Sequence, residues 1–337
     1  MVDLKKRILW IDGLKLFAIF MVVWGHVLPR MGWYISGTEY SGMHGFIYSF
    51  HMPLFMTLSG FVSYKIVSGK MDIIRKFKQL IVPCITLFII CTILRFNENF
   101  WYLKSLFLCY LIWGLYFKIQ YKYKAMMFLT GCLVLFPAIR YIPIISYCKL
   151  DFMLPFFGLG LLLNHYYDVI KNTQRLFLIC AILGFIICEL MWERQFVWYN
   201  SRPNWIDYKA LILQSGEIFH LSNLAVTGFR YLTGIISSIF FIFLFINVYE
   251  RWLQTKVLLK FAKWGGYSLH IYILQAFLVR LGLGAMHMQL PFSETPLYEV
   301  TTFIVSLLIT ISSISLAKTM EKNSYISRYL FGRLTPI

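Results

Sequence analysis

Apolar stretches long enough to cross a lipid bilayer recur along almost the whole chain. A hydrocarbon core of about 30 Å needs about 20 helical residues, and about ten stretches approach or meet that length. They cover residues 8–28, 46–66, 80–96, 101–118, 125–142, 151–167, 176–193, 229–249, 264–284 and 298–318. We predict an all-α polytopic membrane protein with about ten transmembrane helices, in which residues 1–337 form a single integral-membrane domain.

The amino-acid composition excludes an ordinary soluble protein. Hydrophobic residues make up 59% of the chain and charged residues only 14%, against roughly 25% charged residues in a typical soluble domain. A soluble chain of this length would have too few polar side chains to cover its core. The lipid bilayer is therefore the first predicted partner.

The excess of positive charge orients the chain in the membrane. The formal net charge is +17, and most of the 32 Lys and Arg residues fall between predicted spans on the side that holds the N-terminus. The positive-inside rule then predicts that both termini are cytoplasmic. The expected location is a plasma membrane, of the bacterial inner-membrane type. No long basic segment interrupts the apolar runs, so nucleic acid is not a predicted partner. The cysteines lack CxxC spacing, and no metal is predicted.

Three ionisable residues share one face of the first predicted helix. Residues 11–26 read IDGLKLFAIFMVVWGH, and Asp12, Lys15 and His26 lie on a single stripe because of their 3-4-3-4 spacing. Lys15 and His26 are about 16 Å apart along the axis. One interpretation is an interfacial Asp12–Lys15 ion pair with Lys15 extended toward water. The other is functional, with His26 as a general base, since an unperturbed histidine titrates near pH 6.5.

The second predicted span begins FHMPLFMTLSGF, at residues 50–61, and brings His51 to roughly the depth of His26. Pro53 frees a backbone carbonyl, and Gly60 leaves room for a close helix or a ligand. Ser59 is expected either to bond its own backbone four residues back or to face a cavity. His51 is a candidate partner of His26 or of a substrate.

A basic cluster follows the second span. Arg75, Lys76 and Lys78 lie within SGKMDIIRKFKQLIVP, at the predicted cytoplasmic mouth. Ordinary positive-inside charge explains such a cluster as well as a phosphate clamp for an anionic cofactor does. Both interpretations stay open at this point.

The order of these motifs resembles that of the integral-membrane acyltransferase-3 family. The resemblance rests on DGLK with a histidine eleven positions after its lysine, and on FHMPLF followed by SGF. WYLKSLF at 101–107, FMLPFFGLG at 152–160 and WGGYSLHIYILQ at 264–275 add weaker support. Together these motifs span nearly the whole chain in the family's order.

The resemblance implies transfer of an acyl group, usually acetyl, from cytoplasmic acyl-CoA to a hydroxyl of a cell-surface or lipid-linked saccharide or glycolipid. It ties activity to Lys15 and His26, and the family's basic cluster after the second helix corresponds to Arg75, Lys76 and Lys78. From their positions, Asp12 and His51 are further candidates for the catalytic site, and Ser59 joins Lys15 and the basic cluster as a candidate for acetyl-CoA binding. Many members carry arginine at the position of Lys15 and histidine at that of Gln275. Ser59 and Gln275 are candidate oxyanion donors.

Two other functions are compatible with ionisable groups in membrane spans. A secondary transporter or flippase would place them along its substrate path, although paired halves are not evident in the sequence. A non-catalytic membrane sensor of the same fold is the second alternative. Neither alternative predicts consumption of acyl-CoA.

Overall fold

A computed structural model of the chain describes residues 8–36, 42–69, 72–95, 98, 100–119, 148–193, 196–197, 206–214, 216–252, 255–283 and 296–333. In chain order the helices are α1 (Leu9–Ser36), α2 (Gly42–Val67), α3 (Ile73–Ile93), α4 (Trp101–Lys118), α5 (Leu150–His165), α6 (Tyr167–Leu190), α7 (Tyr208–Leu213), α8 (Leu221–Trp252), α9 (Lys256–Gly265), α10 (Ser268–Leu278), α11 (Pro296–Met320) and α12 (Ser324–Tyr329). A π-helical turn, Val279–Leu283, continues α10. Extended structure in these residues is limited to an isolated bridge between Ile206 and Phe219.

Five of these helices are long and apolar enough to cross a membrane. They are Leu9–Met31, Gly42–Val67, Ile73–Ile93, Leu221–Tyr249 and Pro296–Met320, and shorter apolar helices cover Leu150–His165, Phe177–Leu190 and Ser268–Leu283. The all-α, multi-pass character is confirmed for the part of the chain described above. The predicted span at 125–142 lies outside the described residues. The total of ten spans and the cytoplasmic termini stay predictions.

The first helix lies at the centre of the bundle. It packs against α2, α8, α9, α10 and α11, and most of its apolar side chains are buried, from Trp10 to Met31. A helix that is apolar nearly all round is stable only when other helices or lipid surround it. The polar stripe of α1 therefore faces the inside of the bundle and not one exposed edge.

Two glycines let α2 and α5 cross at backbone contact. A Cβ on Gly60 would lie 2.8 Å from the carbonyl carbon of Phe157, and one on Gly160 would lie 2.6 Å from the backbone nitrogen of Phe61. Small residues allow such approach between membrane helices, which then gain dispersion and backbone contacts. Gly60 was expected to make room either for a close helix or for a ligand, and in the structure it makes room for a helix.

Several predicted boundaries differ in the structure, those at 80–96 and 176–193 by an earlier helix start. The span expected at 229–249 belongs to the longer helix α8, which begins at Leu221 because no proline interrupts the polar residues before the apolar run. The stretch expected to be one span at 264–284 is divided by a turn at Gly266 and Tyr267 into α9, which ends at Gly265, and α10, which begins at Ser268. Gly265 packs on the backbone of α1, where a Cβ would lie 2.5 Å from the carbonyl carbon of Asp12.

The C-terminal residues contact both α10 and α3 at one end of the bundle. The buried Glu321 carboxylate oxygen lies 2.6 Å from Nε2 of His270 on α10 and 2.6 Å from a guanidinium nitrogen of Arg333. Burial raises the pKa of the Glu321 carboxyl, and the Arg333 charge opposes that shift. Gly332, with φ 66°, packs against the backbone of Gln79 on α3. We call residues 321–333 the C-terminal strap.

Candidate functional site

Gln275 on α10 holds the ring of His26. Nδ1 of His26 lies 3.1 Å from Oε1 of Gln275, and Nε2 of Gln275 donates to the Tyr272 carbonyl oxygen at 3.3 Å. A backbone carbonyl only accepts, so it orients the Gln275 amide with its oxygen toward the imidazole. That oxygen also only accepts, which assigns the proton to Nδ1 of His26 and leaves the Nε2 lone pair available.

His26 lines a cavity of about 270 Å³ inside the bundle. Its wall combines ionisable or hydrogen-bonding side chains with aromatic and aliphatic ones: Val22, His26, Tyr48, His51, Met52, Pro53, Glu98, Phe100, Trp101, Lys149, Phe152, Met153, Tyr272, Gln275 and Ala276. We call this the His26 cavity. An apolar pocket with a few convergent polar groups is the usual form of a small-molecule site.

His51 shares that cavity with His26. Its Nδ1 lies 2.7 Å from the carbonyl oxygen of Ile47, one turn earlier on α2, and its ring stands edge-on to Tyr48. Since the carbonyl accepts, the Nδ1 of His51 donates and Nε2 is left as an acceptor for a ligand. The sequence prediction that His51 and His26 meet at one depth therefore corresponds to one shared cavity.

Lys15 and Asp12 line a different region from His26. Nζ of Lys15 lies 3.7 Å from a carboxylate oxygen of Asp12, so the expected ion pair is present. Lys15 borders a cavity of about 180 Å³, which we call the Lys15 cavity. It also borders a third cavity of about 360 Å³ that includes Asp12 and Lys65. Lys15 therefore both pairs with Asp12 and borders cavities that a ligand can enter.

Tyr272 lies between two of these cavities, because it lines both the His26 cavity and the Lys15 cavity. Ser59 lines only the Lys15 cavity, where its hydroxyl donates to the Phe55 carbonyl at 3.0 Å and lies 2.6 Å from the Tyr102 hydroxyl. Ser59 thus combines the two roles expected for it. Ser59 therefore lies in the Lys15 cavity and not beside His26, whereas Gln275 lines the His26 cavity and has a second N–H besides the one that bonds Tyr272.

One member of the basic cluster approaches the Lys15 cavity. Nζ of Lys76 donates to the Tyr110 hydroxyl at 3.2 Å and lies 4.2 Å from the centroid of that ring, and Tyr110 lines the cavity. Arg75 and Lys78 are exposed to the surroundings of the bundle. The structure therefore brings Lys76 toward Lys15 and leaves the other two cations further out.

Four charged residues at the end of the bundle opposite the basic cluster were not among the predicted site residues. They are Arg30, Glu98, Lys149 and Arg280. Glu98 and Lys149 line the His26 cavity, and a Glu98 oxygen lies 3.0 Å from Arg280 and 3.8 Å from Arg30. Nζ of Lys149 lies 4.4 Å from the Trp101 ring centroid. The available signal was the position of Glu98 beyond the end of α3 and of Lys149 just before α5, since both lie on the side opposite the basic cluster, whereas Arg30 lies within α1.

These features define a class of protein: a multi-pass helical membrane protein with a partly enclosed site between its helices, lined by ionisable side chains. Residues 8–96 match the model of the acyltransferase-3 family, described as an acyltransferase domain. The match includes Lys15, His26 and FHMPLF, and over these residues it confirms the resemblance drawn from the first two motifs. The motifs at 101–107, 152–160 and 264–275 lie outside it, and the match supports acyl transfer at the level of the family. No curated protein and no solved structure matches the chain.

Proposed function

We propose that this protein transfers an acyl group, acetyl by preference, from cytoplasmic acyl-CoA to a hydroxyl of a saccharide or glycolipid, with His26 as the general base. The observation that carries the proposal is the imidazole of His26, held by Gln275 in a partly enclosed cavity. Its setting within a matched acyltransferase domain supplies the reaction class.

The proposed chemistry uses the Nε2 lone pair of His26. Nε2 takes the proton from the acceptor hydroxyl as that oxygen bonds to the thioester carbonyl carbon. The carbon–sulfur bond then breaks, the acyl ester is released, and the departing CoA sulfur receives the proton from Nε2. Gln275 stabilises the imidazolium that forms between these steps, because its Oε1 accepts from Nδ1–H throughout.

The route proposed for the acyl donor runs through the Lys15 cavity. Lys15 and Lys76 supply two cations for the phosphate end of CoA, and Asp12 holds Lys15 in position. From Lys15 to His26 the axis of α1 rises about 16 Å, which an extended pantetheine arm can span. The arm would pass Tyr272, whose side chain borders both cavities.

The proposal is tested by transfer of labelled acetyl from acetyl-CoA in membranes that contain the protein, with a pooled envelope glycan extract as acceptor. We expect His26→Ala to lower label incorporation at least 100-fold, since a positioned general base contributes about 10²–10⁴-fold. Lys15→Ala should weaken use of acetyl-CoA, and Lys15→Arg should largely preserve it. His165→Ala is the matched control, because His165 contacts Tyr64 away from the His26 cavity.

Equal incorporation by the wild type and His26→Ala would remove His26 from the mechanism. Unchanged acetyl-CoA dependence in Lys15→Ala would remove the phosphate contact. If a well-expressed wild type transferred no label from acetyl-CoA or succinyl-CoA, the acyltransferase proposal would give way to a transporter or a membrane sensor.

A further inference from the structure

Helix α9 crosses the first helix at a steep angle, at the end of the bundle that holds Asp12. The Tyr249 hydroxyl donates to the Leu258 carbonyl oxygen at 3.2 Å, and a Cβ on Gly13 would lie 2.6 Å from the Cζ carbon of the same tyrosine ring. Near the other end of α9, Gly265 packs on the Asp12 backbone. These two points are about 10 Å apart along α9 but meet neighbouring positions of α1. Since α1 is long and apolar enough to cross the bilayer, α9 lies close to the membrane plane.

The ends of two spanning helices place α9 at the membrane surface. Asp12 lies in the first turn of α1, whose apolar span begins at Leu9. Nζ of Lys318, near the end of the apolar span of α11, lies 6.0 Å from the ring centroid of Tyr267, just after α9. Trp264 on α9 is partly buried, and Trp and Tyr side chains are enriched at the level of the lipid headgroups.

A stripe of three lysines runs along the outer side of α9. Lys256, Lys260 and Lys263 project within about 60° of one another because of their 4-3 spacing, and all three are exposed. Among the residues that the structure describes, no carboxylate lies within ion-pair distance of these ammonium groups. Nζ of Lys260 lies 5.0 Å from the ring centroid of Trp264. The lysine stripe therefore presents three cations to an anionic partner.

An apolar strip adjoins the lysine stripe and also faces away from the bundle. Val257 and Phe261 are 71% and 39% exposed, whereas Ala262 and Gly265, on the far side of the helix from the lysines, are buried. Lysines beside exposed apolar side chains, on a helix that lies in the membrane plane, are typical of helices that bind the surface of an anionic bilayer.

We propose that α9 binds anionic phospholipid headgroups in the leaflet at this end of the bundle. The lysine stripe contacts the lipid phosphates, and Val257 and Phe261 lie among the upper parts of the acyl chains. The inference is independent of acyl transfer. Charge complementarity selects an anionic surface, and the apolar strip continues the lipid-facing surface of the bundle, which a soluble anion would not need. Basic residues that merely orient the chain in the membrane need no apolar strip beside them.

The test measures thermal unfolding of the purified full chain in detergent with three added probes. These are dioleoylphosphatidylglycerol, the neutral lipid dioleoylphosphatidylcholine, and glycerol phosphate as a soluble anion. We expect phosphatidylglycerol to raise the unfolding midpoint at concentrations where the other two do not. A triple variant with Lys256→Gln, Lys260→Gln and Lys263→Gln should need about 100-fold more of this lipid, since each lysine at an anionic surface contributes about fivefold in affinity.

Matched variants control for charge and for the apolar strip. Replacing the same three lysines by arginine keeps the cations and should retain the effect of phosphatidylglycerol. A second triple variant, Lys118→Gln, Lys322→Gln and Arg328→Gln, removes three exposed cations outside α9 and should respond like the wild type. Phe261→Ser should weaken the effect, because its ring is expected to enter the lipid.

Each arm can overturn the inference. Equal stabilisation by phosphatidylcholine would remove the requirement for a negative headgroup, and equal stabilisation by glycerol phosphate would reduce the stripe to a soluble-anion site. A full response in the α9 glutamine variant would refute the assigned site, and an equal loss in the second triple variant would show diffuse charge instead of a site. If the α9 glutamine variant does not fold, its three single variants carry the same test, with an expected shift of about fivefold each.

Discussion

The backbone crossing of α2 and α5 gives a prediction whose size follows from the structure. A Cβ on Gly160 would lie 2.6 Å from the Phe61 nitrogen and closer still to the Thr57 carbonyl oxygen, whereas ordinary contact begins near 3.4 Å. In Gly160→Ala the two helices must therefore separate by about 1 Å, because packed backbones leave no free space. Overpacking of this kind costs roughly 1–3 kcal/mol, and the weaker dispersion attraction between the separated helices adds to that cost.

The matched control is Gly228→Ala on α8, where an added Cβ meets nothing within 4 Å. Both variants gain the higher helix propensity of alanine, up to about 1 kcal/mol, so their difference isolates the clash. We expect Gly228→Ala to unfold at or above the wild-type temperature in detergent and Gly160→Ala to unfold several degrees below it.

The same displacement should reach the site. The first residues of α5, including Met153, line the His26 cavity together with Lys149 just before that helix and His51 of α2. A shift of about 1 Å between groups that position a reaction can cost about 100-fold in rate, so Gly160→Ala should lose most of its acetyl transfer while remaining in the membrane. Identical unfolding temperatures and transfer rates for the two variants would refute the close crossing.

Three other perturbations separate the roles assigned above. Gln275→Leu should lower kcat about 10- to 100-fold with little change in KM, because it removes the acceptor for an imidazolium, and an unaltered kcat would argue against the assigned ring orientation. Lys76→Gln should raise KM for acetyl-CoA several-fold and Lys78→Gln should not; equal effects would point to a diffuse charge contribution. Glu321→Gln should destabilise the protein by about 1–2 kcal/mol, since it leaves the half-buried Arg333 without its carboxylate. Thermal unfolding in detergent measures that loss, and an unchanged midpoint would refute it.

Helix positions were largely predictable, since length and apolar character decide which segments can cross a bilayer. The segment at 101–118 coincides with α4, and the stripe of Lys15 and His26 lies on one unbroken helix, α1. The break at Gly265 was missed because glycine is tolerated inside membrane helices. Only the approach of the Asp12 backbone explains why that position is glycine.

The composition of the site was predictable only where its residues share a helix. Periodicity relates Lys15 to His26, but the Gln275 contact spans 249 positions along the chain and depends on how α10 packs against α1. Ser59 was expected to bond its own backbone or to face a cavity, and its place in α2 does not say which cavity. Its hydrogen bond to Tyr102, a residue of another helix, belongs to the Lys15 cavity.

The shared wall at Tyr272 has a consequence for the energetics of the cell. An open aqueous passage from one membrane face to the other would let protons leak and dissipate the electrochemical gradient. On the proposed route the two cavities meet at one phenol ring, whose centroid lies 5.5 Å from that of Tyr102. A thin acyl chain would then cross beside Tyr272 without an open aqueous passage, and we expect membranes that contain the protein to keep their proton gradient during transfer.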